Sequence, residues 1–295
     1  MLDSAVPAFP ERLRVFAWLS VLLIICFAKP LYDLARYSFH SELYSHILLV
    51  PFIGLYLVWL KRRDLAPASE PVGRLALGPL ILGLGLIAGY LLAVTSGWKA
   101  KTEDYLAMMT LSFLAFLWSG CLLCLGVATL ARLAFPLAFI VFMVPFPAGI
   151  EHAIERFLQH GSAEAAYALL KLSGMPVFRQ GTSFQLPGFS MEVAPQCSGI
   201  RSSLVLFITS FLAGHLLLRN NWSRALLVFA VIPLGMLRNG LRIFTLGQLC
   251  VRISPDWINS DLHKHGGPLF FAASLAPLFL LLWYLRKREQ RRSKE

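Results

Sequence analysis

The chain has 295 residues, of which 57% are hydrophobic and only 15% charged, against about 25% charged in an ordinary soluble domain. Together with a mean hydropathy of +0.65, this excludes a water-soluble enzyme and describes a polytopic membrane protein. The net charge of +11 does not point to nucleic acid, because the basic residues stand in short clusters between apolar runs, as cytoplasmic anchors do.

In chain order, apolar runs predict eight spans near 14–30, 45–60, 75–95, 105–127, 130–147, 198–218, 224–246 and 267–285. Most approach the roughly 20 residues that cross a hydrocarbon core. Arg12 and Arg14 precede the first run, and no A-x-A-like cleavage site follows it, so it reads as a retained span. The second begins "YSHILLVPFIGLYLVWL", with an aromatic residue near each end. The fourth and fifth are joined around Arg132 as a helical hairpin. Within "SGCLLCLGVATL", Cys121 and Cys124 form a C-x-x-C without a nearby histidine, and they read as lipid-buried structural residues. Five cysteines in all are too few and too scattered for a disulfide framework.

The one substantial segment predicted outside the membrane is 148–197. Its first half is a helical pattern that stops at Gly174, with Pro176 close behind. Its second half, "TSFQLPGFSMEVA", reads as two short strands around a Pro-Gly turn that deliver the chain to Cys197. The expected fold is therefore all-α and polytopic, with about eight transmembrane helices and a small extracytoplasmic helix-plus-hairpin cap. It forms one integral membrane domain over 1–295.

Lysine and arginine bias sets the expected orientation. With the N-terminus inside, one face collects 15 of the 27 basic residues, including Lys61, Arg62, Arg63, Arg74, Arg132, Arg219, Arg224 and the tail "RKREQRRSKE". Both termini are then cytoplasmic. Cys197, Arg242 and His263 all fall at the opposite, outer face. Cys197 and Arg201 share a helix face if the helix starts at the cysteine, and Arg238 and Arg242 are likewise four apart. An arginine near the centre of a membrane helix costs about 2.5–3.5 kcal/mol on insertion scales. Three of them within apolar spans are expected to face a protein interior or a polar cavity, or else to snorkel to headgroups.

A thiol, a guanidinium and an imidazole at one level suit thiolate attack on an acyl group. Positive charge and a helix N-terminus lower a thiol's pKa. Arg242 stays protonated and would stabilise the thiolate or the later oxyanion. His263 titrates near neutrality and would protonate the departing amine. His40, His152 and His160 lack a second ligand at metal spacing, and His215 lies at the inner end of its span. No H-E-x-x-H and no Gly-rich phosphate loop occurs, so neither metal nor cofactor is expected.

"APQCSGIRS", "RNGLRIF" and "HKHGGPLFF" resemble the three signatures of the exosortase/archaeosortase family, multi-pass membrane proteins proposed to act as cysteine transpeptidases. "SELYSHILLVPFIGLYLVWLKRR" is similar to that family's early Tyr-Ser-His segment, and "FMVPFPAGIEHAIERFLQ" and "GMPVFRQGTSFQLPGFSMEVAPQCSG" are similar to the stretch leading to its cysteine. The resemblance runs in order over most of residues 40–275. It implies that Cys197 is the nucleophile, Arg242 the assisting arginine and His263 the histidine, with Arg201 supporting and Asn239 and Arg238 beside them. The family's glycine four residues after the histidine, with aromatics just beyond, selects His263 through Gly267 and Phe270. His265 is the alternative. Pro268 departs from the family pattern. Tyr44, Ser45 and His46 match a segment whose role stays open, either in the site or in helix packing.

The resemblance further implies a cysteine endopeptidase or transpeptidase of the cytoplasmic (inner) membrane, embedded in membrane lipid and acting at the outer face. Its partners would be exported proteins with a C-terminal sorting signal: a short motif such as Pro-Glu-Pro, an apolar helix and a basic tail. The acceptor would be at the cell surface or related to exopolysaccharide. Two rival readings remain: a transporter or lipid-linked sugar carrier that binds an anionic head group through its arginines, and a structural subunit of a polysaccharide export system. The carrier reading gives no reason for Cys197.

Overall fold

A computed structural model describes residues 9–62, 73–260 and 266–292. The chain forms two compact units, Met1–Gly149 and Ile150–Glu295.

The first unit holds α1 (Phe9–Cys26), α2 (Ala28–His40), α3 (Val50–Lys61), α4 (Gly73–Thr95), α5 (Thr102–Arg132) and the short α6 (Ala134–Phe139). Its centre is α5, whose Leu106, Leu114 and Ala115 are fully buried. α4 lies close against α5 because Gly83 leaves room for the Phe116 ring, which a Cβ there would meet at 2.9 Å. Small residues at such contacts let membrane helices approach. Ser119 Oγ adds a hydrogen bond to the Ala76 carbonyl at 2.9 Å. At Gly126 (φ +79) α5 leaves helical geometry, so its straight part ends close to where the fourth predicted span ends.

The second unit runs through most of α7 (Ala148–Leu172), β1 (Phe178–Gln180), β2 (Ser183–Leu186), β3 (Phe189–Glu192), α8 (Ile200–Leu217), α9 (Asn221–Arg252) and α10 (Gly267–Arg292). α9 is the axis, and a different small residue meets each neighbour. Gly235 faces Ser203 of α8, Gly240 faces Ala165 of α7, and Gly247 faces Leu186 and Met191 of the sheet. Leu206, Leu227, Val231, Leu278 and Leu282 pack α8, α9 and α10 into one apolar core. A second core joins Ala163, Ala166 and Leu170 of α7 to Phe184, Leu186, Val193 and Ile243. Glu289 of α10 accepts from the Arg219 and Asn220 backbone N–H groups at 2.8 and 3.1 Å, and so ties the α8–α9 turn to the end of the last helix.

The fold is all-helical and polytopic apart from this sheet, but the count of spans differs from expectation. Among the described residues, five helices are long and apolar enough to cross a membrane, or seven if two bent helix pairs each count as one span. Eight straight spans are not seen. The predicted first span is the leading arm of one bent pair, with α1 and α2 meeting at 70°. The predicted 45–60 span is a short 3-10 turn followed by α3, whose 12 residues cover about 18 Å at 1.5 Å per residue. That is short of a hydrocarbon core of about 30 Å. Hydropathy registers an apolar run whether the chain continues straight or folds back.

The 148–197 segment contains the expected long helix, which ends as predicted: Gly174 takes φ +75 just past it, and Pro176 follows. The strands number three, not two, in the order β1-β2-β3. The Pro187-Gly188 turn joins β2 to β3, with Leu186 opposite Phe189.

Candidate functional site

Cys197 lies in a 3-10 turn, Pro195–Cys197, between β3 and α8. The proline starts the turn with its φ already set, and the Cys197 N–H closes onto the Ala194 carbonyl at 2.8 Å. The helix does not start at the cysteine. Gly199, at φ +80, stands as its N-cap, and α8 begins only at Ile200. The face-sharing of Cys197 with Arg201 therefore does not arise, and Arg201 is exposed.

The turn is held from α9. Asn239 Nδ2 donates to the Cys197 carbonyl at 2.7 Å, and Arg238 Nη2 donates to the Gly199 carbonyl at 3.2 Å. That second carbonyl also accepts from Ser203 N at 3.0 Å and Ser202 Oγ at 3.2 Å. Both α9 side chains are deep, Asn239 at 3% and Arg238 at 7% exposure. Neither anchor would fit around a larger residue at 199, where a Cβ would lie 2.9 Å from Arg238 Nη2 and 3.2 Å from Asn239 Cγ. Ser198, also buried, accepts from the Ile200 N–H at 3.4 Å.

Arg242 stands one turn beyond Arg238 on α9 and is half-buried. With Cys197 and Asn239 it lines a small open cleft, completed by Met191, Glu192 and Val193 at the end of β3 and by Ile243, Leu246 and Ile258. The cleft thus brings a thiol and a guanidinium under one apolar wall. A fixed positive charge there would stabilise the oxyanion of an acyl group attacked by that sulfur.

Of the residues singled out from sequence, the structure groups Cys197, Arg238, Asn239 and Arg242. Arg201 is exposed and does not line that cleft. His263 and His265 lie outside the described residues. His46 belongs to the first unit, where its Nδ1 lies 3.2 Å from the Leu43 carbonyl. In the same unit the buried Tyr44 hydroxyl accepts from the Phe146 N–H at 3.2 Å. Sequence reading does not single out Gly199 or the β3 residues of the cleft. A glycine directly before a helix start is the available signal for a left-handed residue, while no local pattern reports which strand end borders a cleft.

A family model described as transmembrane exosortase matches residues 37–280. Comparison with curated proteins and with solved structures gives no significant match.

Proposed function

The chain belongs to the family of transmembrane exosortases, and from that premise we propose that it is a cysteine transpeptidase or protease acting on C-terminal sorting signals. Its substrates are exported proteins that end in a short motif such as Pro-Glu-Pro, an apolar helix and a basic tail. The reaction takes place at the outer face of the cytoplasmic membrane, with both termini of the enzyme inside. A substrate tethered by its own helix searches two dimensions only, which raises its effective concentration at the cleft.

The Cys197 thiolate attacks the scissile carbonyl carbon, forming a C–S bond and an oxyanion. Arg242 offers that oxyanion a permanent positive charge. The C–N bond then breaks, and His263 supplies the proton that the departing amine takes. An amine of a surface or exopolysaccharide-related acceptor, or water, then attacks the thioester and gives its proton back to His263, and the C–S bond breaks to restore the thiolate. The observation that carries this reading is the shared cleft of Cys197 and Arg242, behind a turn pinned by two buried α9 side chains.

The rival reading, an anion-binding carrier, draws on two guanidinia one helical turn apart, one of them only 7% exposed. It predicts that Cys197 is dispensable. The test is processing of a tailed reporter protein by Cys197→Ala at matched membrane levels. Processing should vanish, and Cys197→Ser should retain little, because serine without a tuned base is a far weaker nucleophile. Near-normal processing by Cys197→Ala would remove the enzyme reading.

A further inference from the structure

Among the described residues no strand pairs with the outer side of the sheet's last strand, and that strand runs into the cleft. The parity of the β2–β3 ladder follows from one bond beyond it: Val193 N donates to the Thr182 carbonyl at 3.0 Å. Hydrogen-bonded pairs alternate in an antiparallel ladder. Residues 193, 191 and 189 therefore aim their backbone groups inward at β2, where Met191 stands opposite Phe184 and Phe189 opposite Leu186. Ser190 and Glu192 aim theirs outward. Both are exposed, and the three-stranded order places no strand beyond β3. Among the described residues, no hydrogen bond reaches the outward backbone groups of either.

Unpaired strand edges are templates for another chain, and proteins usually blunt them with a covering segment, a proline or a lysine. Among the described residues none of these stands on β3, whose sequence is Phe-Ser-Met-Glu. The opposite edge of the sheet differs. β1 carries Arg179, whose guanidinium pairs with Glu164 of α7 at 2.9 Å.

We propose that the β3 edge is the substrate-binding edge: the extended segment of the substrate next to the scissile bond adds as a fourth strand, paired through the backbone of Ser190 and Glu192. This rests on the cleavage reading above and says how that substrate is held. Continuity selects the occupant, because Met191, Glu192 and Val193 line the same cleft as Cys197 and Arg242. A chain paired at Glu192 is thereby delivered to the thiol. Backbone pairing supplies affinity without reading sequence, and specificity falls to the alternate side chains. Those directed at its apolar wall meet Val193, Ile243, Leu246 and Ile258, so the substrate residue placed there is apolar.

The experiment uses the full-length membrane protein and a reporter with a Pro-Glu-Pro-type tail. In a Cys197→Ala background, which holds the substrate uncleaved, Ser190→Cys and Glu192→Cys are each cross-linked with a short bis-maleimide to single cysteines stepped along the reporter's pre-helix segment. The expected result is one preferred partner for each, with the two partners two residues apart. A second measurement compares Ser190→Pro with Ser190→Ala. Proline is tolerated at an edge whose N–H faces outward, so it removes the outward donor and should lower kcat/KM roughly tenfold relative to alanine, about the effect of one hydrogen bond.

Cross-linking without register, or equal rates for the two Ser190 variants, overturns the strand proposal while leaving cleavage intact. A cross-linked homodimer through position 190 in place of the substrate adduct also overturns it and identifies a second copy as the occupant. If the unmodified protein fails to process the reporter at all, the cleavage reading falls and the proposal falls with it.

Discussion

Replacing Gly199 by alanine tests whether the α9 clamp sets the position of the nucleophile. Gly199 holds φ +80, a region that costs an L-residue about 1–2 kcal/mol. The new methyl would also sit 2.9 Å from Arg238 Nη2 and 3.2 Å from Asn239 Cγ. Arg238 has little room to withdraw at 7% exposure, so the clash lifts its Nη2 from the Gly199 carbonyl. A hydrogen bond from a charged donor contributes about 1.5–3 kcal/mol. Together these put the native turn about 2.5–5 kcal/mol less favourable, enough to shift Cys197 to another arrangement. A displacement of about 1 Å at a reacting group costs roughly 100-fold in rate.

Gly199→Ala should therefore process a tailed reporter about 100-fold more slowly at matched membrane levels. Gly174→Ala is the control: Gly174 has a similar φ of +75, and nothing lies within 4 Å of an added Cβ. It carries the backbone cost without touching the clamp, so its processing should stay close to normal while its thermal stability drops. Normal processing by Gly199→Ala would refute the clamp, and equal losses in both variants would show that backbone strain alone is responsible.

Asn239→Asp keeps the shape but replaces the amide donor to the Cys197 carbonyl with an acceptor. We expect at least tenfold lower processing, roughly one buried hydrogen bond plus a repulsive contact, together with slower maleimide labelling of Cys197; unchanged labelling would argue against the contact. Arg242→Lys keeps the charge and loses the planar fork, and it should lose most of its activity in the same assay. Of the neighbouring histidines, His263→Ala should be inactive and His265→Ala should keep substantial activity; full activity in His263→Ala would select the other ring. Reporters fused after Lys61 and Lys294 should read cytoplasmic and one near Gln185 extracytoplasmic, and a cytoplasmic signal at Gln185 would overturn the orientation.

Composition and apolar run length were enough to establish a multi-pass helical membrane protein, because burying hydrocarbon-facing residues leaves a signal in every window of sequence. They also located the strong punctuation, such as the Gly174 stop and the Pro187-Gly188 turn, since glycine and proline act through their own backbone. Run length does not report bends, so the α1–α2 elbow and the 12-residue α3 read as ordinary spans. The short signatures singled out Cys197, Arg238, Asn239 and Arg242, which the structure brings together around one turn, and left their partners unassigned. Asn239 meets a carbonyl 42 residues earlier in the chain, and Gly199 makes room for Arg238 only because α8 and α9 pack side by side through Gly235. Arg201 and Arg238 are alike in type and sit in similar apolar surroundings in sequence. One is exposed and the other buried because rotation about the helix axis is settled by side-chain packing between helices, which no local pattern encodes.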